Sequence, residues 1–242
     1  MKKIKILGII PARGGSKRIP HKNIAKIGGK PLIYYTIREA KKSKLLDAFL
    51  VSTDSEKIAK VARSLGADVP FLRPKKYARD KSVDIEFLKH AVEWVQKHRG
   101  WRPEIVVLLR PTSPFRTDKD IDDAIRLIKK TKCDSVRTVS SPSPYIPYKM
   151  WFFDNGKTGK MRPVLKTKYF NRLSTDVPRQ LLEPVWWQNG IVDVTRAKFI
   201  KKGLVYGPDI RGMIVDAKKV VDIDQPKDLK KAEQIMRELK LG

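Results

Sequence analysis

The chain has 242 residues, 41% of them hydrophobic and 33% charged, and carries a formal net charge of +27. That length and hydrophobic content support one large α/β domain, or one domain with a sizeable insertion, and exclude global disorder. No apolar run reaches the ~18 residues of a membrane helix, so a membrane span is not expected.

The first predicted element is a buried strand over Ile4–Ile10. It empties into Pro11-Ala12-Arg13-Gly14-Gly15-Ser16-Lys17-Arg18-Ile19-Pro20 and then Lys22-Asn23, a Gly-rich loop with four cations and no carboxylate. Such a loop suits phosphate. Gly14 and Gly15 let the backbone approach a ligand and take positive φ without a Cβ penalty. Successive amides then form an anion-binding concavity, and Arg13, Lys17 and Lys22 add charge that a polyphosphate neutralises. The spacing is neither that of a Walker P-loop nor that of the G-x-G-x-x-G fingerprint. A flexible basic surface turn is the plain alternative.

Amphipathic helices are predicted over Pro31–Lys42, Ser55–Leu65, Val83–Lys97 and Asp118–Lys129, and strands over Ala48–Ser52, Ile105–Leu109 and Ser135–Val139. In the fourth helix, Ile121, Ala124, Ile125 and Ile128 recur at helical spacing, with Asp118 and Asp120 suiting its N-terminal dipole. Strands alternating with helices mean a mostly parallel sheet with right-handed crossovers, whose ligands bind beyond the carboxyl ends of the strands. The basic loop, Ser52-Thr53-Asp54 and Arg110-Pro111-Thr112-Ser113-Pro114 each follow a strand, so they are expected to meet in one cleft. Asp54 is expected to cap the second helix, with a ribose contact as its rival role.

From about Ser140 to Pro184 the rhythm breaks. The segment holds six prolines, a strand-like Met150–Phe153 and a turn at Asp154-Asn155-Gly156. It also carries Tyr145, Tyr148, Trp151, Phe152, Phe153, Tyr169 and Phe170, more aromatic surface than a soluble monomer leaves wet. It reads as an excursion (140–184) from a core made of 1–139 and 185–242, and as a dimerisation arm, with packing on the chain's own core as the competing explanation. The α/β pattern returns with Gly190–Val194, Val220–Ile223 and a closing helix from Gln225 to Leu239. Asp222 and Asp224, two apart on an expected strand, share a face and can share one cation, the alternative being an N-cap pair in which Asp224 opens the last helix with Pro226 at an early helical position.

The single cysteine, Cys133, excludes an internal disulfide and fits a reducing cytoplasm, and three scattered histidines do not make a zinc site. The positive charge favours anionic partners, but it is spread through pieces such as Lys41-Lys42 and Lys129-Lys130, and no nucleic-acid motif accompanies it. No specific nucleic acid is expected as a partner.

Six blocks, in order, resemble the acylneuraminate cytidylyltransferases, the CMP-sialic acid synthetases and their relatives acting on legionaminic and pseudaminic acids. They are Ile9 to Asn23; Val51-Ser52-Thr53-Asp54 with Ile58-Ala59 and Gly66-Ala67; Leu108 to Arg116; Pro178-Arg179-Gln180; Asn189-Gly190; and Asp222-Ile223-Asp224 with Asp228-Leu229. The resemblance runs from near residue 4 to near residue 233. It implies a Rossmann-like nucleotidyltransferase (GT-A-like) fold with a small dimerisation excursion. It also implies a homodimer in which the anomeric hydroxyl of a nonulosonic acid attacks the α-phosphorus of CTP and pyrophosphate leaves. Another sugar nucleotidyltransferase, using Kdo or a different base, and a basic nucleic-acid-binding protein are the alternatives.

By the same resemblance Arg13, Lys17, Lys22 and Asp224 are catalytic. Ala12, Arg13, Gly14, Gly15, Asn23, Asp80 and Ser82 bind the nucleotide. Arg110, Arg179, Gln180 and Asn189 bind the sugar, and Asp222 and Asp224 hold Mg²⁺. Two positions depart from the sialic acid pattern: Arg110 stands where Gln is usual, and Asp193 where an aromatic is usual. Arg110 follows a core strand and is expected to open onto the cleft. Its guanidinium either meets the sugar or forms an internal ion pair that braces the pocket. The departures leave legionaminate-like or other nine-carbon keto acids open.

Overall fold

The structure, a computed structural model, describes residues 4–142, 145–154, 159–165 and 176–238. The strands are β1 (Ile6–Pro11), β2 (Lys26–Ile27), β3 (Lys30–Pro31), β4 (Ala48–Ser52), β5 (Ile105–Leu108), β6 (Ser135–Ser140), β7 (Trp151–Phe153), β8 (Met161–Pro163), β9 (Trp187–Arg196) and β10 (Ile210–Ile214). The α-helices are α1 (Leu32–Lys42), α2 (Glu56–Ser64), α3 (Asp84–Arg99), α4 (Asp118–Thr131), α5 (Ala197–Lys201) and α6 (Pro226–Glu238). Two compact units result, Met1–Thr138 with Asn189–Gly242, and Val139–Gln188.

The main sheet has six strands in the order β10-β6-β9-β5-β1-β4. β1 lies parallel to β4 on one side and to β5 on the other, and β9 runs antiparallel to β5. β1 is apolar on both faces, as a strand covered on both sides must be. Ile6 and Ile10 enter a core with Ile33 and Ile37 of α1, Ile58 of α2 and Ile121 and Ile125 of α4. Leu7 and Ile9 point the other way, with Leu50, Val106 and Leu108, onto Phe87, Leu88 and Val92 of α3 and Ile200 of α5. The helical periodicity read from the sequence is thus the record of two helix layers packed on one sheet.

Local signals start the helices. Ser55 caps α2, its side chain accepting from the Ile58 amide, and Thr117 and Asp120 form a reciprocal capping box on α4. Asp54 therefore does not cap α2, contrary to expectation. The segment Val220–Ile223 forms no strand. Val221 and Ile223 are buried against Leu32, Ile235 and Met236, so burial alternates as it would in a strand, but among the described residues the ladder-like bonding is a single bond from the Ile223 amide to the Thr112 carbonyl. The strand expected there lies upstream instead, as β10, whose residues are mostly exposed and carry little periodic signal.

In the second unit β7 and β8 pair antiparallel, and Ile146, Tyr148, Val177 and Leu182 bury one another. Tyr148 is thereby satisfied within its own unit. Tyr145, Phe152, Phe153, Trp186 and Trp187 remain exposed. The turn at Asn155-Gly156, Tyr169, Phe170 and the end of the closing helix at Leu239 lie outside the described residues. Among the described residues, no helix is long and apolar enough to cross a membrane.

Candidate active site

Parallel strands side by side deliver their following loops to one edge of the sheet. At the carboxyl ends of β1 and β5 lies a cleft of about 570 Å³. It belongs wholly to the first unit. Arg13, Lys17, Lys22, Asn23, Asp80, Ser82, Arg110 and Asp224 all line it, so eight of the residues singled out by sequence converge there.

The four loop cations do not stand free. Lys17 pairs with Asp80, and Arg13 Nη1 lies 3.6 Å from the same carboxylate and donates to the Arg79 carbonyl at 2.8 Å. Arg18 pairs with Asp224, and Lys22 Nζ is 3.2 Å from its Oδ1. Lys17 hydrogen-bonded to Asp80, and Lys22 hydrogen-bonded to Asp224 with Arg18 beside it, hold both carboxyls below the usual carboxylate range. A carboxyl with a lowered folded-state pKa keeps its pairing above pH ~4 and loses it only as the pH falls through the lowered value. The two sets are therefore complete at neutral pH.

The loop backbone is held from within the protein. Ala12 is buried and its amide donates to the Ser52 carbonyl. The Gly14 amide donates to Asp54 Oδ1 at 2.8 Å, which is the role Asp54 takes in place of capping. Neither Gly14 nor Gly15 has a positive φ, so the expected left-handed turn is not what the glycines provide. Gly14 serves close approach: a Cβ there would stand 2.9 Å from Ser55 Cβ at the start of α2. Asn23 ties down the far side, its Nδ2 donating to the Arg13 carbonyl at 3.0 Å. With the Ala12 and Gly14 amides engaged, cationic side chains carry most of the loop's attraction for anions.

Ser82 closes the turn that carries Asp80, accepting from the Arg79 amide and donating to the Lys76 carbonyl. Asp222 and Asp224 are exposed while Val221 and Ile223 are buried, so both carboxylates sit on the outer side of an extended stretch. Asp224 lines the cleft, whereas Asp222 does not. Among the described residues, no group of three or more His, Cys, Asp or Glu could hold a metal ion by itself. Two hard carboxylates on one side of an extended stretch are of the donor type that would suit a divalent cation such as Mg²⁺.

Arg110 opens onto the cleft, and its guanidinium is ion-paired through both Nη groups: Nη1 to Asp193 and Nη2 to Asp84, each at 2.5 Å. Burial alone would lower its pKa, but Asp193 and Asp84 outweigh burial and raise it. The internal ion pair, one of the two roles open to Arg110, is present. The register puts Asp193 opposite Leu108, next to the strand end from which Arg110 springs. Tyr206 Oη also reaches Asp193, at 3.2 Å, and burial together with that carboxylate pushes its hydroxyl pKa up to about 12. The two departures from the sialic acid pattern are thus one bonded pair.

Asn189 is buried, its Oδ1 accepting from the Ile191 amide and its Nδ2 without a partner among the described residues. Arg179 and Gln180 belong to the second unit, exposed on a short 3-10 turn over Arg179–Leu181. Sequence reasoning missed Arg73 and Asp84, which also line the cleft. Arg73 is buried, bonds Ser52 through Nε and Nη2, and lies 4.6 Å above the Phe87 ring, and burial pushes its pKa down to about 10. One arginine among 53 Lys and Arg carries no signal of its own. Asp84 reads as an ordinary carboxylate in the first turn of α3.

A family profile described as cytidylyltransferase matches residues 7–167. Over 235 residues the chain is 33% identical to the CMP-N,N'-diacetyllegionaminic acid synthase of Legionella pneumophila, covering 96% of this chain and 97% of that protein. It is 40% identical over 146 residues to the N-acylneuraminate cytidylyltransferase of Escherichia coli O18:K1:H7, which is 59% of this chain and only 33% of that protein. A solved CMP:2-keto-3-deoxy-manno-octonic acid synthetase complexed with CTP matches with a TM-score of 0.71 at 18% identity, covering 97% of this chain and 99% of that one. That likeness is one of fold, and the α/β nucleotidyltransferase architecture expected from the sequence is the one observed.

If Asp54 sets the loop, Asp54→Ala leaves the fold standing and loosens the site. Loss of one hydrogen bond, about 1 kcal/mol, lowers Tm by about 2–4 °C. Calorimetric binding of a nucleoside triphosphate is expected to weaken by about tenfold, because the loop cations lose a fixed geometry. Unchanged affinity would show that Asp54 has no part in shaping the site.

Proposed function

This chain belongs to the cytidylyltransferase family, and from that premise we propose that it activates a nonulosonic acid with CTP, forming the CMP-sugar and releasing pyrophosphate. The observation that carries the reading is the 33% identity to a CMP-N,N'-diacetyllegionaminic acid synthase across nearly the whole of both chains. The cleft supports it independently, since its cations suit a triphosphate and its position is where this sheet topology places ligands.

In the reaction the anomeric hydroxyl oxygen of the sugar bonds to the α-phosphorus and its proton passes to solvent, while the bond from that phosphorus to the bridging oxygen breaks and pyrophosphate carries the charge away. No covalent enzyme intermediate is needed, so positioning and charge neutralisation supply the acceleration. We assign Arg13, Lys17 and Lys22 to the triphosphate and the departing pyrophosphate, with Asn23 and the Gly14–Gly15 backbone fixing the loop that presents them. Arg18, paired with Asp224, joins that set. A triphosphate entering the cleft competes with Asp80 and Asp224 for the same cations, so binding exchanges one anion for another and the cations are never left unpaired. We assign Asp80 and Ser82, which share a turn, to the nucleotide.

The metal in this reading is Mg²⁺, held by Asp222 and Asp224, and when bound it supplies charge neutralisation and a template for phosphate oxygens. Arg179, Gln180 and Asn189 are assigned to the acidic sugar, with the unpartnered Asn189 amide as a donor. The second unit is proposed as the surface of a homodimer, on the strength of its exposed Tyr145, Phe152, Phe153, Trp186 and Trp187. A cytoplasmic setting agrees with the single buried Cys133.

The function is tested by pyrophosphate release measured across four nucleoside triphosphates and a panel of nonulosonic acids with Kdo. CTP with a nonulosonic acid is the expected productive pair, and turnover only with Kdo or with another base would contradict the reading. In the same assay Asp224→Asn is expected to lose about 100-fold in turnover at fixed Mg²⁺, because the lost interaction strengthens as charge builds on the phosphates. Full activity of that variant would remove Asp224 from the metal site. Light scattering at micromolar concentration is expected to give the mass of a dimer, and a monomeric mass would contradict the proposed interface.

A further inference from the structure

Arg110 joins two carboxylates with different surroundings. Asp193 is 2% exposed and is also reached by Arg137, at 3.4 Å, and by Tyr206. Asp84 has 40% of its side chain exposed and faces the cleft. Two of the five guanidinium N–H donors are committed to these carboxylates. Arg110 thereby fixes one end of Asp84. Only Asp84 Oδ2 is engaged; its Oδ1 has no hydrogen-bond partner among the described residues. Asp84 is therefore a cleft-lining carboxylate held in place by Arg110 with one oxygen left to accept.

We propose that Asp84 is a specificity-determining residue for the acceptor sugar, its free oxygen accepting a hydrogen bond from a hydroxyl or acylamino N–H of the nonulosonic acid. Asp193 is the positioning residue behind it, acting through Arg110. The inference rests on the cytidylyltransferase reading. Its chemistry is directional. A fixed carboxylate repels the sugar's own carboxylate, so that group must bind elsewhere, and it rewards a neutral donor at this point of the sugar ring or its side chain. A sugar lacking the donor leaves a desolvated carboxylate oxygen unpaired, which is how a polar site rejects an analogue.

The test is steady-state kinetics of pyrophosphate release with the preferred sugar, alongside calorimetric binding of CTP. Asp84→Asn keeps the size and inverts the polarity: with its oxygen on Arg110, the amide turns N–H groups toward a substrate donor. The expected result is a loss of about 10- to 100-fold in kcat/KM for the sugar, carried by KM, with the Kd for CTP unchanged. Asp193→Asn is expected to shift the sugar KM in the same direction by less. The double variant is expected to be no worse than Asp84→Asn, since Asp193 acts through Asp84. An unchanged sugar KM in Asp84→Asn, a weakened CTP affinity, or additive losses in the double variant would each overturn the proposal. Should Asp84→Asn fail to fold by circular dichroism, Asp84→Ser carries the same expectations. Wild-type protein that turns over no nonulosonic acid overturns the function itself, and this proposal with it, whereas an active wild type with an indifferent Asp84→Asn overturns the proposal alone.

Discussion

Four positive charges on one short loop repel one another, and the site depends on what offsets that repulsion. Asp80 and Asp224 do so, each bridging two of the cations across the cleft. Asp224 lies 202 residues along the chain from Lys22, so this pairing is a product of the tertiary fold and not of local sequence. β1 must lie beside β5 for Thr112 to hold the Ile223 backbone, and that bond sets where Asp224 stands. In the proposed function the same carboxylates set the starting state of the loop: cations already paired at neutral pH would exchange partners when a polyphosphate arrives. Exposed pairs of this kind contribute little to stability, and their importance is to arrangement.

A second ionic arrangement sits deeper and works differently. Arg110 is pinned between Asp84 and Asp193, and Arg116, completely buried, donates to the carbonyls of Arg110 and Ile191. The strand-end residue is therefore held at both its backbone and its side chain. Buried charges of this density are costly unless fully paired, and their gain is a unique geometry. Read one residue at a time, Arg110 and Asp193 are two unrelated departures from the sialic acid pattern; in the fold they are a single bonded exchange.

Much of this was legible before the fold was known. The runs that became β1, β4 and β5 are short, apolar and β-branched, and Ala48–Ser52 has the same bounds in sequence and structure. Helical spacing located α1 to α4 because those helices bury one face each on the sheet. The failures share a cause. Val221 and Ile223 alternate with exposed aspartates as strand residues do, but alternation reports burial and cannot report a missing ladder partner. β10 escaped because an exposed edge strand has no apolar face to betray it. Of the site, the cationic loop was readable because its charges are contiguous. Asp54 on Gly14, Arg73 over Phe87 and Asp84 on Arg110 were not, since each depends on residues brought together from distant segments.

The central claim is that the loop after β1 is a triphosphate site whose cations act on the nucleotide and do not support the fold. Calorimetric titration of CTP into wild type, Arg13→Ala and Lys22→Ala tests it most directly. The account predicts measurable CTP binding by the wild type, weakened about tenfold or more in each variant while circular dichroism stays unchanged, since each loses a charge-assisted contact to phosphate. Variants that bind CTP as tightly as the wild type, or that unfold, would contradict it.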